Sequence, residues 1–183
     1  MTRSNIQLLS NIVLFQCAWF SLVLGYTVLG LVVTTTLLLH TFLTSRDRQK
    51  EMTFCLMVVV FGVLADSILM QFGVYLFTSS LDLDVSEQLI PIWLISLWVA
   101  FSLTLNRSLN WLVNIPWLLV ILLAVFGPLS YYAGTQLNPE LIQMDQTFVW
   151  ASAIQWALMG LVIFGLYLYL LKDSTQITGE RHA

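Results

Sequence analysis

The sequence predicts an all-α polytopic membrane protein, a bundle of six transmembrane helices forming one domain over 1–183. Three observations carry the prediction. Hydrophobic residues make up 58% of the chain and charged residues only 9%, against about one quarter charged in an ordinary soluble domain. Ile6 to Thr44 contains no charged residue, and as one helix it would be about 58 Å long, roughly twice the ~30 Å of a bilayer's hydrocarbon core. Once six spans are drawn from hydropathy alone, all seven Lys and Arg fall on one side.

The elements follow in order. The first span lies near 6–24. Arg3 followed by an apolar run resembles a signal peptide, but no small-residue cleavage site follows, so the run reads as a retained span. The chain must turn back, at Gly25-Tyr26-Thr27 or near Gly30, into a second span near 28–44. The charged segment Arg46 to Glu51 precedes a third span near 52–72. Residues 78–90 are polar and acidic and read as a loop, after which Pro91 opens a fourth span, 91–106. Arg107 to Asn110 connects to a fifth span, 111–133, beginning at Trp111 or Pro116, with Gly127-Pro128 as a kink. A loop from Asn138 to Gln146 leads to the sixth span, near 147–171, and a polar tail.

This map places Arg3, Arg46, Arg48, Lys50, Arg107, Lys172 and Arg181 together. Asp82, Asp84, Glu87, Glu140 and Asp145 occupy the opposite loops. The bias of Lys and Arg toward cytoplasmic loops then puts both termini in the cytoplasm. Five or seven spans would scatter the basic residues. Cys17 and Cys55 lie inside apolar runs without redox or metal spacing, and read as small hydrophobes.

Asp66 is the one ionisable residue well inside a span, where a carboxyl group costs a few kcal/mol and by default faces protein. It lies about 21 Å along the third span, in the half away from the basic residues, so its partners should be neutral hydrogen-bonding groups or water. Counting residues along each helix puts Trp19, Ser96, Trp98, Gly127, Ser130, Tyr131, Ser152, Gln155 and Trp156 at a similar depth. Ser67 and Gln71 flank Asp66 on its own helix, and Gln16 lies one turn deeper. Gly62 and Gly73 would let another helix approach Asp66. Two readings compete. Asp66, Trp19, Gln16, Gln71, Trp98, Ser130, Tyr131 and Gln155 form a ligand-binding pocket with Asp66 as acid, base or anchor. Alternatively, Asp66 ties helices together while the aromatic residues form interfacial belts.

A second polar set ends the fourth span. Asn106, Arg107 and Asn110 could bind a lipid phosphate or head group, or form a capped turn with a topogenic arginine. His40 has no second histidine at membrane depth, which argues against a metal site. No hydrolase, phosphate-binding or dinucleotide-binding motif is present, and no basic patch suggests nucleic acid. No catalytic residue, cofactor or metal is assigned.

Several strings carry a resemblance. They are Phe15-Gln16 with Trp19-Phe20, Gly62 with Ala65-Asp66-Ser67, Pro91-Ile92-Trp93, Leu97 to Phe101, Leu105 to Leu109 with Trp111-Leu112, and Gly127 to Gly134. Together they resemble a family of small bacterial inner-membrane proteins, domain-of-unknown-function family 2878, over nearly the whole chain. The chain departs from that pattern at Thr135 to Asn138, where members carry more Gly and Ala. The resemblance implies no catalytic role. It implies a bacterial inner membrane and a gene setting beside cyclopropane-fatty-acid-synthase-like methyltransferases. It therefore points to an accessory protein that binds or presents a lipid, or lipid-derived molecule, with the lipid bilayer and fatty-acid-modifying enzymes as partners. A proton-coupled transporter using Asp66, and an intramembrane lipid-modifying enzyme pairing Asp66 with Tyr131 or Ser130, are the alternatives.

Overall fold

The computed structural model describes residues 3–45, 47–79, 88–145 and 149–171. Arg46, most of the acidic loop, Gln146 and the tail with Lys172, Arg181 and His182 lie outside them. The elements are α1 (Arg3–Val23), α2 (Thr27–Thr44), α3 (Arg48–Gln71), β1 (Tyr75–Phe77), α4 (Ile92–Leu105), α5 (Asn110–Val113), α6 (Pro116–Leu137), β2 (Ile142–Met144) and α7 (Val149–Leu170). Five helices, α1, α2, α3, α6 and α7, are long and apolar enough to cross a membrane. The fourth expected span is shorter: α4 has 14 residues, about 21 Å at the helical rise. It occupies the middle of the bundle and packs on α1, α2 and α3, while α7 joins α3 to α6.

Local chemistry explains the boundaries. The first turn falls at Gly25, whose φ of 86° suits a residue without Cβ. Gly30 serves packing instead, because a Cβ there would meet Leu22 at 2.4 Å. α3 starts earlier than expected: Asp47 caps it by accepting from the Lys50 N–H at 3.2 Å, which brings Glu51 into its first turn. It ends at Gly73, φ 75°, with Gly73 N–H donating to Met70 O and Val74 N–H to Leu69 O. That pattern is a Schellman cap. Gly73 therefore stops the helix, and nothing lies within 4 Å of the Cβ it lacks; it is not a helix-approach site.

The fifth span differs from its expected bounds of 111–133. The short α5 ends at Val113, α6 begins with Pro116 in its first turn, and the helix runs through Pro128 to Leu137. Pro116 has no N–H to leave unpaired in a first turn, which favours that start. Two segments expected as loop or loop margin contain strands. Tyr75–Phe77 pairs antiparallel with Ile142–Met144, in the register Tyr75↔Met144, Leu76↔Gln143, Phe77↔Ile142. Strands of three residues are too short for an alternation pattern to reveal them. Pairing satisfies backbone groups where two chain segments cross one end of an apolar bundle.

The outer surface is apolar, as a lipid-facing surface must be. Val28, Val32, Leu43, Leu56, Ile121 and Leu158 are all more than half exposed. On α7, Trp150 is 75% and Tyr169 84% exposed. They are 19 residues apart, about 28 Å along the axis, close to the thickness of a hydrocarbon core. Amphipathic aromatic rings favour both of its boundaries. The end with the strands is hereafter the sheet end, and the end with Arg48, Lys50 and Arg107 the basic end.

Candidate functional site

Asp66 lies near the sheet end of α3, fully buried. Three other helices converge on it. Trp98 of α4 donates its indole N–H to Asp66 Oδ2 at 2.6 Å. The Tyr131 hydroxyl of α6 donates to the same oxygen. Gln155 of α7 donates from Nε2 to Oδ1 at 2.5 Å. All these partners are neutral donors. The network continues outward: the Tyr75 hydroxyl donates to Gln155 Oε1 at 3.4 Å and hydrogen-bonds Ser152. The Tyr75 ring stacks on Tyr131, centroids 4.6 Å apart, so the two-stranded sheet covers the site from its own end.

Beside the carboxylate, Trp98 and Trp156 stack with centroids 5.0 Å apart and planes within 15°. Glycines flank the pair. A Cβ on Gly62 would meet the Trp98 ring at 2.4 Å, and one on Gly127 the Trp156 ring at 2.2 Å. Each indole therefore lies directly on the backbone of a neighbouring helix, Trp98 on α3 and Trp156 on α6.

The other faces of this cluster line a cavity of about 780 Å³. α1 and α4 form one wall and α6 the other, with the edge of Trp156 between them. Neither α1 nor α4 packs along α6, so a lengthwise seam separates α1 from α6 beside the cavity. The seam narrows at the sheet end, where a Cβ on Gly134 would lie 3.7 Å from Val23 and one on Gly25 3.4 Å from Asn138. Most lining groups are apolar or aromatic, among them Phe15, Trp19, Leu97, Phe101 and Phe126. Such a groove admits a hydrophobic chain or ring and excludes charge.

The structure brings together Asp66, Trp98, Tyr131 and Gln155. It places Trp19, Gln16 and Ser130 on the groove, with Trp98 and Tyr131 shared between groove and network. Ser130 donates to Gly127 O at 2.7 Å within its own helix. Gln71 departs from the group: it is exposed and donates to Gln88 O at 3.2 Å, because it sits more than a helical turn past Asp66, on another face. Tyr75 was missed because it lies outside any span. The apolar run Val74 to Phe77 directly after Gly73 was its sequence signal.

At the basic end, Arg107 grips Glu51 with two nitrogens, at 3.0 and 3.2 Å, and donates to Thr41 O at 3.2 Å. This guanidinium ties α2 and α3 to the turn after α4, with three of its five N–H donors committed within the protein. Asn106 ends α4, its backbone N–H donating to Thr104 O. The side chain of Asn110 has a buried Oδ1 without a partner among the described residues. Nearby, Asn11 accepts from the Ser108 hydroxyl at 2.7 Å and donates to Leu103 O at 3.3 Å. Glu51 and Asn11 were missed by sequence reasoning, although Asn11 is the one asparagine between Ile6 and Thr44.

A protein-family model, described as a protein of unknown function (DUF2878), matches residues 8–162. The chain belongs to the DUF2878 family. The matched region contains the Asp66 network, the groove lining and the Glu51–Arg107 pair. No curated protein and no solved structure matches this DUF2878 chain.

Proposed function

We propose that this DUF2878 protein binds a lipid or lipid-derived molecule in the groove between α1 and α6, and presents it to enzymes that modify membrane lipids. In this reading the chain crosses a bacterial inner membrane six times, α4 included, with both termini cytoplasmic. The single observation that carries the proposal is the groove, apolar, aromatic and about 780 Å³, which in this reading opens along its side to the hydrocarbon phase. A ligand already dissolved in the bilayer could enter without crossing a polar surface. Asp66 does not line that groove. Its role here is to hold Trp98 and Tyr131 in place as a rigid wall, since preorganised walls lower the entropic cost of binding.

The test is extraction and mass spectrometry of molecules that copurify with the protein, compared with Leu97→Trp, which fills the groove. The expected result is one hydrophobic species enriched over bulk membrane lipid in the wild type and depleted in a variant that still unfolds cooperatively. Bulk lipid in identical proportions from both proteins would overturn the proposal.

A further inference from the structure

One groove residue is out of keeping with the others. Gln16 lines the cavity as an exposed residue, and its carboxamide makes no hydrogen bond with any described residue. Gln16 stands 13 residues from Arg3 and 7 from Val23 in α1. At the helical rise this is about 20 Å from one end and about 10 Å from the other, roughly 5 Å from the middle of the span. An unpaired amide in hydrocarbon is costly, so the cavity favours an occupant with a polar atom at that depth.

Depth separates the possible occupants. The ester carbonyls of a glycerolipid sit at the edge of the hydrocarbon core, about 15 Å from its midplane, and reaching Gln16 would drag a head group into the apolar layer. A saturated acyl tail reaches the amide but offers it no acceptor. A prenylated quinone meets both demands, because its most polar atoms are ring carbonyl oxygens and the whole molecule dissolves in hydrocarbon. We propose that the groove takes a prenylated quinone, with the Gln16 carboxamide donating to a ring carbonyl and the isoprenoid tail lying along the seam. This rests on the groove reading above and specifies its ligand.

The surrounding rings suit such a ligand. Phe15 and Trp19 accompany Gln16 on α1, and Phe126 lies across the seam on α6. The faces of Trp98 and Trp156 are taken by each other and by Gly62 and Gly127, so these indoles turn their edges to the cavity. Ring edges carry the positive side of the quadrupole and favour electron-rich oxygens and π faces. Ser130 spends its proton on Gly127 O, which leaves the Gln16 amide and the Trp156 indole N–H, buried and unpartnered among the described residues, as donors on the lining.

The experiment titrates decylubiquinone into the full-length protein in saturated-phosphatidylcholine nanodiscs, reading quenching of tryptophan fluorescence against protein-free discs. Palmitic acid and dioleoylphosphatidylcholine serve as competitors. Saturable quenching is expected, and Gln16→Met should weaken it about tenfold, the effect of one hydrogen bond of ~1.4 kcal/mol, while thermal unfolding stays that of the wild type. Saturable binding that Gln16→Met leaves unchanged, or that palmitic acid displaces equally well, would overturn the quinone and leave the groove reading standing. No saturable binding of any of the three would remove both.

Discussion

Two buried carboxylates at opposite ends of α3 are satisfied in opposite ways. Glu51, in the first turn at the basic end, is 5% exposed and meets a guanidinium through two hydrogen bonds. Asp66, close to the other end, is fully buried and meets three neutral donors from three helices. Depth accounts for the difference. Arg107 sits in the turn after α4 with its side chain one-fifth exposed, where partial hydration lowers the cost of a full charge. A cation at the level of Asp66 would have to be carried into hydrocarbon, at a cost of ~2.5 kcal/mol or more per residue. Neutral N–H and O–H groups supply the needed donors without that cost. Both arrangements brace helices that adjoin few common neighbours, one joining α2 to α3, the other joining α3, α4, α6 and α7.

The sharpest way to break this comparison is to remove the deep carboxylate. Asp66→Ala leaves three donors without an acceptor, and at roughly 1 kcal/mol for each lost bond it should destabilise the bundle by about 3 kcal/mol. Asp66→Asn keeps an acceptor oxygen and should lose about half as much. Reversible unfolding in mixed micelles measures both. An Asp66→Ala protein as stable as the wild type would mean that the three hydrogen bonds brace nothing.

The sequence made the deep site more legible than the basic one. Asp66 stood out because a lone carboxyl in an apolar run is conspicuous, and a count along each helix found Trp98, Tyr131 and Gln155 at its level. Counting fixes depth but not azimuth, so Gln71 was grouped with a network it does not join. Tyr75 escaped because a strand of three residues has no periodicity to read. At the basic end one partner went unread. Charges near a membrane boundary are expected, so nothing marked Glu51 as the partner of Arg107, and the arginine read equally as a lipid-phosphate ligand or as part of a capped turn. The pairing depends on where α3 begins, which Asp47 sets by capping it at Arg48, four residues before the expected start. The groove was legible only through some of its lining, Gln16, Trp19, Trp98, Ser130 and Tyr131, since its shape arises from two helices that fail to pack.

Breaking the shallow pair should cost less than breaking the deep one. Arg107→Ala leaves the Glu51 carboxylate without its cation, which in a dry interior would cost ~3–5 kcal/mol. Hydration at this end should reduce that to about 2 kcal/mol. The double variant Glu51→Leu/Arg107→Met should recover most of the loss, because apolar replacement of a whole buried pair is close to neutral. A double variant less stable than Arg107→Ala would show that Glu51 has other work at the basic end.

Steric changes at the indole pair come next. Gly62→Ala would drive a methyl into the Trp98 ring, which stands 2.4 Å from the Cβ position. Overpacking of this kind costs ~1–3 kcal/mol, and here the lower half of that range is expected, because α4 can shift slightly. The same change should disturb the bond from Trp98 to Asp66, so Gly62→Ala and Asp66→Ala together should be less than additive. Simple additivity in unfolding free energy would mean the ring packing and the carboxylate act independently.

The smallest effect separates the two tyrosines, which stack on each other but differ in partner. Tyr131→Phe removes one of the three donors to Asp66 while keeping its ring against Tyr75. Tyr75→Phe removes a hydroxyl whose partners are Ser152 and Gln155, one step out from the carboxylate. Interhelical hydrogen bonds in membranes contribute about 0.6 kcal/mol on average and up to ~1.7 kcal/mol. Tyr131→Phe should fall near the top of that range, because its acceptor is a buried carboxylate with no water to replace the lost donor. Tyr75→Phe should fall near the average, since Ser152 and Gln155 can reorient toward each other. In an Asp66→Asn background the gap between the two variants should close, because the special acceptor is gone. If Tyr75→Phe proves the costlier of the pair in the wild-type background, the sheet rather than the carboxylate is what holds this end together.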